Sequence, residues 1–237
     1  MVACLGASIT EAKGSFDWIG ELAKRPQNQG FRFYNLGVGG DLAYNALQRL
    51  PSVTARRPDK VVIIIGHNDI VSLVFPRVRR AFTRWKRLPQ KPSPEWYRQN
   101  LETIVRRLKQ ETTAQIALVS LSQMGEDPNS TNPIQQNLNS LFQIYNGIIK
   151  STAEAEKVAY LPFYERIQEQ IAIAPGQAFT SFRFWRFYRD AFRLFVLRRS
   201  LDEIGLMNGW RFHTDGLHLN SRAGMILTDL VQGFLDR

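Results

Sequence analysis

Short apolar runs rich in β-branched residues recur along the chain at Val2–Leu5, Phe31–Leu36, Lys60–Ile65, Ala114–Leu121 and Val158–Leu161. Stretches of helical periodicity separate them. This alternation predicts parallel strands joined by helical crossovers, with helices covering both faces of one open sheet. The run Val61-Val62-Ile63-Ile64-Ile65 has no polar alternation, as a central strand buried on both faces requires. Ser93-Pro94-Glu95 supplies an N-cap, a first-turn proline and an acid near the positive helix end. Tyr97, Leu101, Ile104, Val105 and Leu108 then fall on one face. A second long helix is predicted over roughly 134–156. A last one, capped by Asn220 or Ser221, should bury Leu227, Leu230, Val231, Phe234 and Leu235.

No repeat or low-complexity linker interrupts the pattern, and 237 residues suit a single domain over 1–237 with a sizeable core. The apolar share of 44% and charged share of 22% are those of a soluble globular chain rather than a disordered or fibrous one. A single cysteine, Cys4, excludes an internal disulfide. Met1 to Ser8 already reads as a strand and turn instead of a secretory leader, and no apolar run is long enough to cross a bilayer. The expected location is cytoplasmic.

Four segments carry polar chemistry, three at predicted strand ends and one ahead of the last helix. Gly6-Ala7-Ser8-Ile9-Thr10 follows the first strand, where ligands collect in open α/β sheets. Asn35-Leu36-Gly37-Val38-Gly39-Gly40-Asp41 follows the second, and its glycines let backbone amides approach a ligand. Their spacing does not complete the G-x-G-x-x-G dinucleotide pattern. Gly66-His67-Asn68-Asp69 follows the central strand, and Asn68 offers a neutral donor. Ahead of the last helix, Asp215 and His218 stand three apart around Gly216 and Leu217. A nucleophilic serine needs a base, and the base needs a carboxylate to fix its tautomer.

Taken in order, the four segments resemble the conserved blocks of the SGNH (GDSL-like) serine hydrolases. The resemblance implies a flavodoxin-like three-layer α/β/α sandwich with a five-stranded parallel sheet, and a serine esterase or acyl hydrolase acting on carboxylic esters without a cofactor. It also implies roles: Ser8 the nucleophile, His218 the base oriented by Asp215, and the amides of Ser8 and Gly40 with the Asn68 side chain the oxyanion donors. The family's first block reads Gly-Asp-Ser, whereas this chain has Ala7 before Ser8. Lipid-like or other acylated compounds are the expected substrates, with carbohydrate O-acetyl esters as the alternative.

Charge then changes the picture. The net charge of +10 resides in two segments: residues 77–91 hold seven Lys or Arg and no acid, and residues 181–199 hold six Arg against Asp190. Both read as amphipathic helices. Phe82 and Trp85 lie on the apolar face of the first. In the second, Phe184, Phe187, Tyr188, Ala191, Phe192 and Phe195 oppose Arg186, Arg189 and Arg193. They fall within insertions at about 74–92 and 175–210 that adjoin the candidate site. The expectation is a lid whose rings (Phe82, Trp85, Phe184, Tyr188, Phe192) line an acyl pocket and whose arginines meet anionic lipid. No nucleic-acid module is recognisable.

Two other classes compete. A metal-dependent hydrolase or deacetylase would use His213, Asp215, His218 and His67. A catalytically silent binding protein would share the fold, with Ala7 as its only hint.

Overall fold

The computed structural model describes residues 1–237. Five strands form one sheet: β1 (Val2–Gly6), β2 (Phe33–Gly37), β3 (Lys60–Ile64), β4 (Gln115–Val119) and β5 (Ala159–Leu161). They lie in the order β2-β1-β3-β4-β5, and every pairing is parallel. Twelve α-helices accompany them, eight between strands and four after β5: α1 (Ser8–Glu11), α2 (Trp18–Lys24), α3 (Ala43–Gln48), α4 (Pro51–Thr54), α5 (His67–Val74), α6 (Pro76–Trp85), α7 (Pro94–Glu111), α8 (Pro133–Glu156), α9 (Phe163–Ile173), α10 (Phe184–Phe195), α11 (Leu201–Met207) and α12 (Ser221–Leu235).

The uniformly apolar strands sit where their pattern requires. All five residues of β1 and of β3 are buried, whereas β2, on an edge, is only partly covered. On one face α7 packs against α3 and α8, and on the other α12 packs against α2 and α9. The result is the expected α/β/α sandwich, with one continuous apolar core around the sheet. The caps also form as the residue types dictate. Ser93 Oγ accepts the Trp96 amide at 3.1 Å, and Asn220 Oδ1 accepts the amide of Arg222 at 3.1 Å and that of Ala223 at 3.4 Å. Asn132 starts α8 in the same way.

Strand order reverses around β1: the chain steps from β1 outward to β2, then returns to place β3 on the other side of β1. Connections to either side diverge at such a switch point and leave a crevice beyond the carboxyl ends of the strands. The register pairs Gly6 with Gly37 on one side and with Ile64 on the other. The loops carrying Ser8, Gly40 and Asn68 therefore leave the sheet at one level.

Candidate active site

Ser8 is the first residue of α1, directly beyond β1. Its Oγ lies 2.8 Å from His218 Nε2, and His218 Nδ1 lies 2.7 Å from Asp215 Oδ2. The other carboxylate oxygen, Oδ1, accepts the amides of Leu217 at 3.0 Å and His218 at 2.9 Å. The short loop thus builds its own support: Asp215 binds the backbone that leads to the histidine it orients. Gly216 permits the turn because its φ is +91° and a Cβ there would strike the Phe179 and Trp210 rings.

Electrostatics follow from this geometry. Burial pushes the His218 pKa down, but the Asp215 charge and hydrogen bond, helped by Glu11, outweigh it and hold the imidazole above its ordinary 6.5. Burial likewise raises Asp215, yet the His218 charge, its hydrogen bond and the two amides win and keep the carboxyl below its ordinary value. The pair favours an ionised carboxylate beside an imidazole able to accept a proton from Ser8.

The glycine loop after β2 is held from several directions. Gly40 adopts φ +77°, and a Cβ there would lie 2.6 Å from the Trp85 ring. Asn68, in the first turn of α5, donates from Nδ2 to the Asp41 carbonyl at 2.9 Å, which ties the second and third loops together. Nδ2 carries a second proton that this bond leaves available. The Asp41 carboxylate accepts from Arg49 Nε at 2.7 Å and Lys86 Nζ at 2.8 Å. Arg49 also donates to the carbonyls of Leu36 and Gly6, at 2.6 and 2.7 Å, and Lys86 to that of Gly39 at 2.6 Å. Glu11 Oε2 accepts the Gly39 amide at 3.0 Å. Asp69, pushed up to about 8 by burial, holds the start of α3 through the Ala43 amide.

Arg49, Lys86 and Glu11 were not legible in the sequence as site residues. Lys86 is one of the seven basic residues of 77–91, but its side chain is only 10% exposed and turns into the glycine loop. Glu11 also bears on Ala7. The acid of this region stands one helical turn after Ser8 instead of immediately before it.

His213 and His67 do not join the triad. His213 Nδ1 bonds Glu126 Oε1 at 2.8 Å, and both side chains are fully buried. Glu126 also accepts the amides of Arg211, Phe212 and His213, anchoring the segment that leads into Asp215. Burial raises Glu126, but these donors outweigh it and hold the carboxyl below its ordinary value. His67 Nε2 faces the Ser122 carbonyl at 3.0 Å, and burial drives its pKa down to about 3. The side chains needed for a metal centre thus point to different partners, and no group of three His, Cys, Asp or Glu is arranged to hold an ion.

The expected ring-lined lid is also corrected. Phe82 is buried in the core, and Trp85 lies over the glycine loop with 63% of its surface exposed. In α10 the rings of Tyr188 and Phe192 point to solvent, while the arginine face turns inward. Asp190, buried on that inner face, bonds Arg189 at 2.9 Å and Arg193 at 3.0 Å, and Asn208 joins the same cluster. Neutralising Asp190 in this way makes a polar inner face tolerable. The ring that reaches the triad is Phe187, whose edge meets the His218 ring with centroids 5.6 Å apart. Of the expected rings, Phe184 does line an apolar groove, of about 870 Å³ between α6 and α10, together with Phe75, Val78, Ile134, Phe182 and Trp185.

A parallel α/β sandwich with a serine, histidine and aspartate in hydrogen-bond sequence at its switch point defines a serine hydrolase of the SGNH kind. The model of the GDSL-like Lipase/Acylhydrolase family matches residues 4–184, and the chain belongs to that family: it is a hydrolase that cleaves ester bonds. Among curated proteins none matches the sequence. Solved structures with the same fold include the acetyl xylan esterase AlAXEase, at 17% identity and a TM-score of 0.65 over 99% of this chain and 98% of that one. The acetylxylan esterase Axe2 from Geobacillus stearothermophilus gives 18% and 0.64 over 98% and 92%. A lipase/acylhydrolase from Enterococcus faecalis gives 17% and 0.60 over 99% and 94%. No helix is long and apolar enough to cross a membrane.

Proposed function

We propose that this esterase works through an acyl-enzyme on Ser8. Ser8 Oγ attacks the ester carbonyl while His218 Nε2 takes its proton, and the same imidazolium returns that proton to the departing alcohol. Water, deprotonated by His218, then attacks the acyl carbon, and the imidazolium returns that proton to Ser8 Oγ as the acyl–oxygen bond breaks and the acid leaves. The amides of Ser8 and Gly40 and the Asn68 side chain bind the oxyanion. The single observation that carries this reading is the unbroken sequence of hydrogen bonds from Ser8 through His218 to Asp215, at 2.8 and 2.7 Å. A fluorophosphonate should form one covalent adduct on Ser8, detected by intact mass and peptide mapping. An adduct elsewhere, or none, contradicts the assignment. Asn68→Ala removes one donor in a buried setting and should lower kcat about 10²- to 10³-fold with KM little changed. Steady-state kinetics on a soluble ester would show it.

The apolar groove supports an ester with an extended apolar acyl group as the substrate. Its wall residue Phe182 packs on Phe187 at 5.3 Å between centroids, and Phe187 packs on His218. An acyl chain lying along these rings would end at the triad. Burying each methylene contributes about 0.8 kcal/mol, so kcat/KM should rise roughly three- to fourfold per added methylene until the groove is filled. A second reading, a carbohydrate O-acetyl esterase, draws support from the acetylxylan esterases of like fold. Soluble esters of increasing chain length discriminate the two: a maximum at acetyl rejects the groove as an acyl site and favours the second.

A further inference from the structure

The outer face of α10 inverts the usual arrangement of a surface helix. Phe184, Trp185, Tyr188, Phe192 and Phe195 occupy one arc of about 100° at 3.6 residues per turn, and they are 44% to 77% exposed. The apolar surface continues into Val196 and Leu197, at 61% and 53% exposed. The polar residues that ordinarily face water, Arg189, Asp190 and Arg193, are turned inward and paired. Exposed apolar stripes of this size mark a surface that meets something other than water.

Charge identifies the partner. Arg183 precedes the helix, and Arg198 and Arg199 follow it, all three exposed. The exposed Arg77 and Arg80 of α6 border, with Arg183, the groove that Phe184 and Trp185 line. Arg198 and Arg199, the latter also paired with Glu203 at 3.0 Å, stand at the far end of the apolar strip. A second copy would set two such arginine fringes against each other, in chains that each carry a net charge of +10, against their mutual repulsion. A single-stranded polyanion is better served by rings alternating with cations along a groove. Rings in the centre with cations at the margins match a bilayer interface, where the rings enter below the headgroups and arginines remain among the phosphates.

We propose that the outer aromatic face of α10, fringed by Arg183, Arg198 and Arg199, docks on an anionic lipid bilayer. Phe187, on the inner side of the same helix, touches His218. Docking would therefore hold the triad close to the headgroup layer, where an amphiphilic ester is concentrated.

Co-sedimentation of the whole chain with vesicles of phosphatidylglycerol and phosphatidylcholine, against vesicles of phosphatidylcholine alone, tests the proposal. The expected result is binding to the anionic vesicles that weakens with salt. Tyr188→Ser with Phe192→Ser should abolish it. Arg198→Glu with Arg199→Glu should weaken it at least about twentyfold, at roughly fivefold per arginine. Both variants should hydrolyse a soluble acetyl ester at the wild-type rate. Failure to bind vesicles with hydrolysis intact would overturn the docking surface and leave the esterase assignment standing. Equal binding by all three proteins would also overturn it. So would light scattering that shows a dimer dissociated by the serine variant, or tight binding of an oligonucleotide through the same arginines.

Discussion

Ser8→Ala lowers kcat on every ester the enzyme turns over by about 10⁵- to 10⁶-fold, with KM changed little and the fold intact. His218 would keep its bond to Asp215 at 2.7 Å but would have no hydroxyl to activate. The donors on Gly40 and Asn68 remain, which leaves some acceleration over water and sets the floor of the measurement. Alanine fits the position without strain. Ser8 begins a single helical turn in which alanine is the better helix former, and its Oγ has no partner in the structure other than His218. Thermal unfolding should therefore stay close to that of the wild type while turnover disappears. Adding His218→Ala to this variant should cost almost nothing more, because the two groups act as one device. Activity retained within tenfold of the wild type would reject Ser8 as nucleophile, and a full second loss in the double variant would reject its coupling to His218.

The reach of the sequence ends where contacts become long-range. The central strands were visible because burial on both faces leaves an uninterrupted apolar run, as in Val61 to Ile65, and the edge strands β2 and β5 as short apolar and aromatic runs between helical stretches. β2 starts at Phe33 instead of Phe31, since the Phe31 amide is spent in a turn on the Asn28 carbonyl. Ser8 and Asn68 stood out as polar residues directly after strands, and Asp215 and His218 as an acid and a base three residues apart ahead of the last helix. Their supports did not. Arg49 reaches the carbonyls of Gly6 and Leu36 from just beyond the end of α3, where it resembles any surface arginine, and Glu126 anchors His213 from 87 residues away. Neither periodicity nor spacing contains such pairings. The inward turn of the α10 arginines has the same origin. A helical period reports that two faces differ, but the buried Asp190 and its link to Asn208 decide which face turns inward.

Asp215→Asn should cost about 10⁴-fold in kcat at neutral pH, and its pH profile carries the more specific signature. The wild-type histidine must be neutral to accept the Ser8 proton. Its pKa lies above 6.5, so kcat/KM falls as the pH drops through that raised value, and the acid limb begins on the alkaline side of 6.5. Removing the Asp215 charge removes the largest influence raising that pKa, while the burial that lowers it remains. The limb should move to lower pH, and the asparagine variant should reach its plateau at a pH where the wild type is still losing activity. That plateau nevertheless stays far below the wild-type rate. An asparagine amide can donate to His218 Nδ1, and the proton is then left on Nε2, the atom that must accept from Ser8. The shift of the limb reports the lost charge, and the low plateau reports the wrong tautomer. A plateau equal to the wild type would mean that Asp215 only tunes the pKa of His218. An unmoved limb with a low plateau would mean that it only orients the ring. The geometry, with one carboxylate oxygen on Nδ1 and the other on the loop amides, requires both.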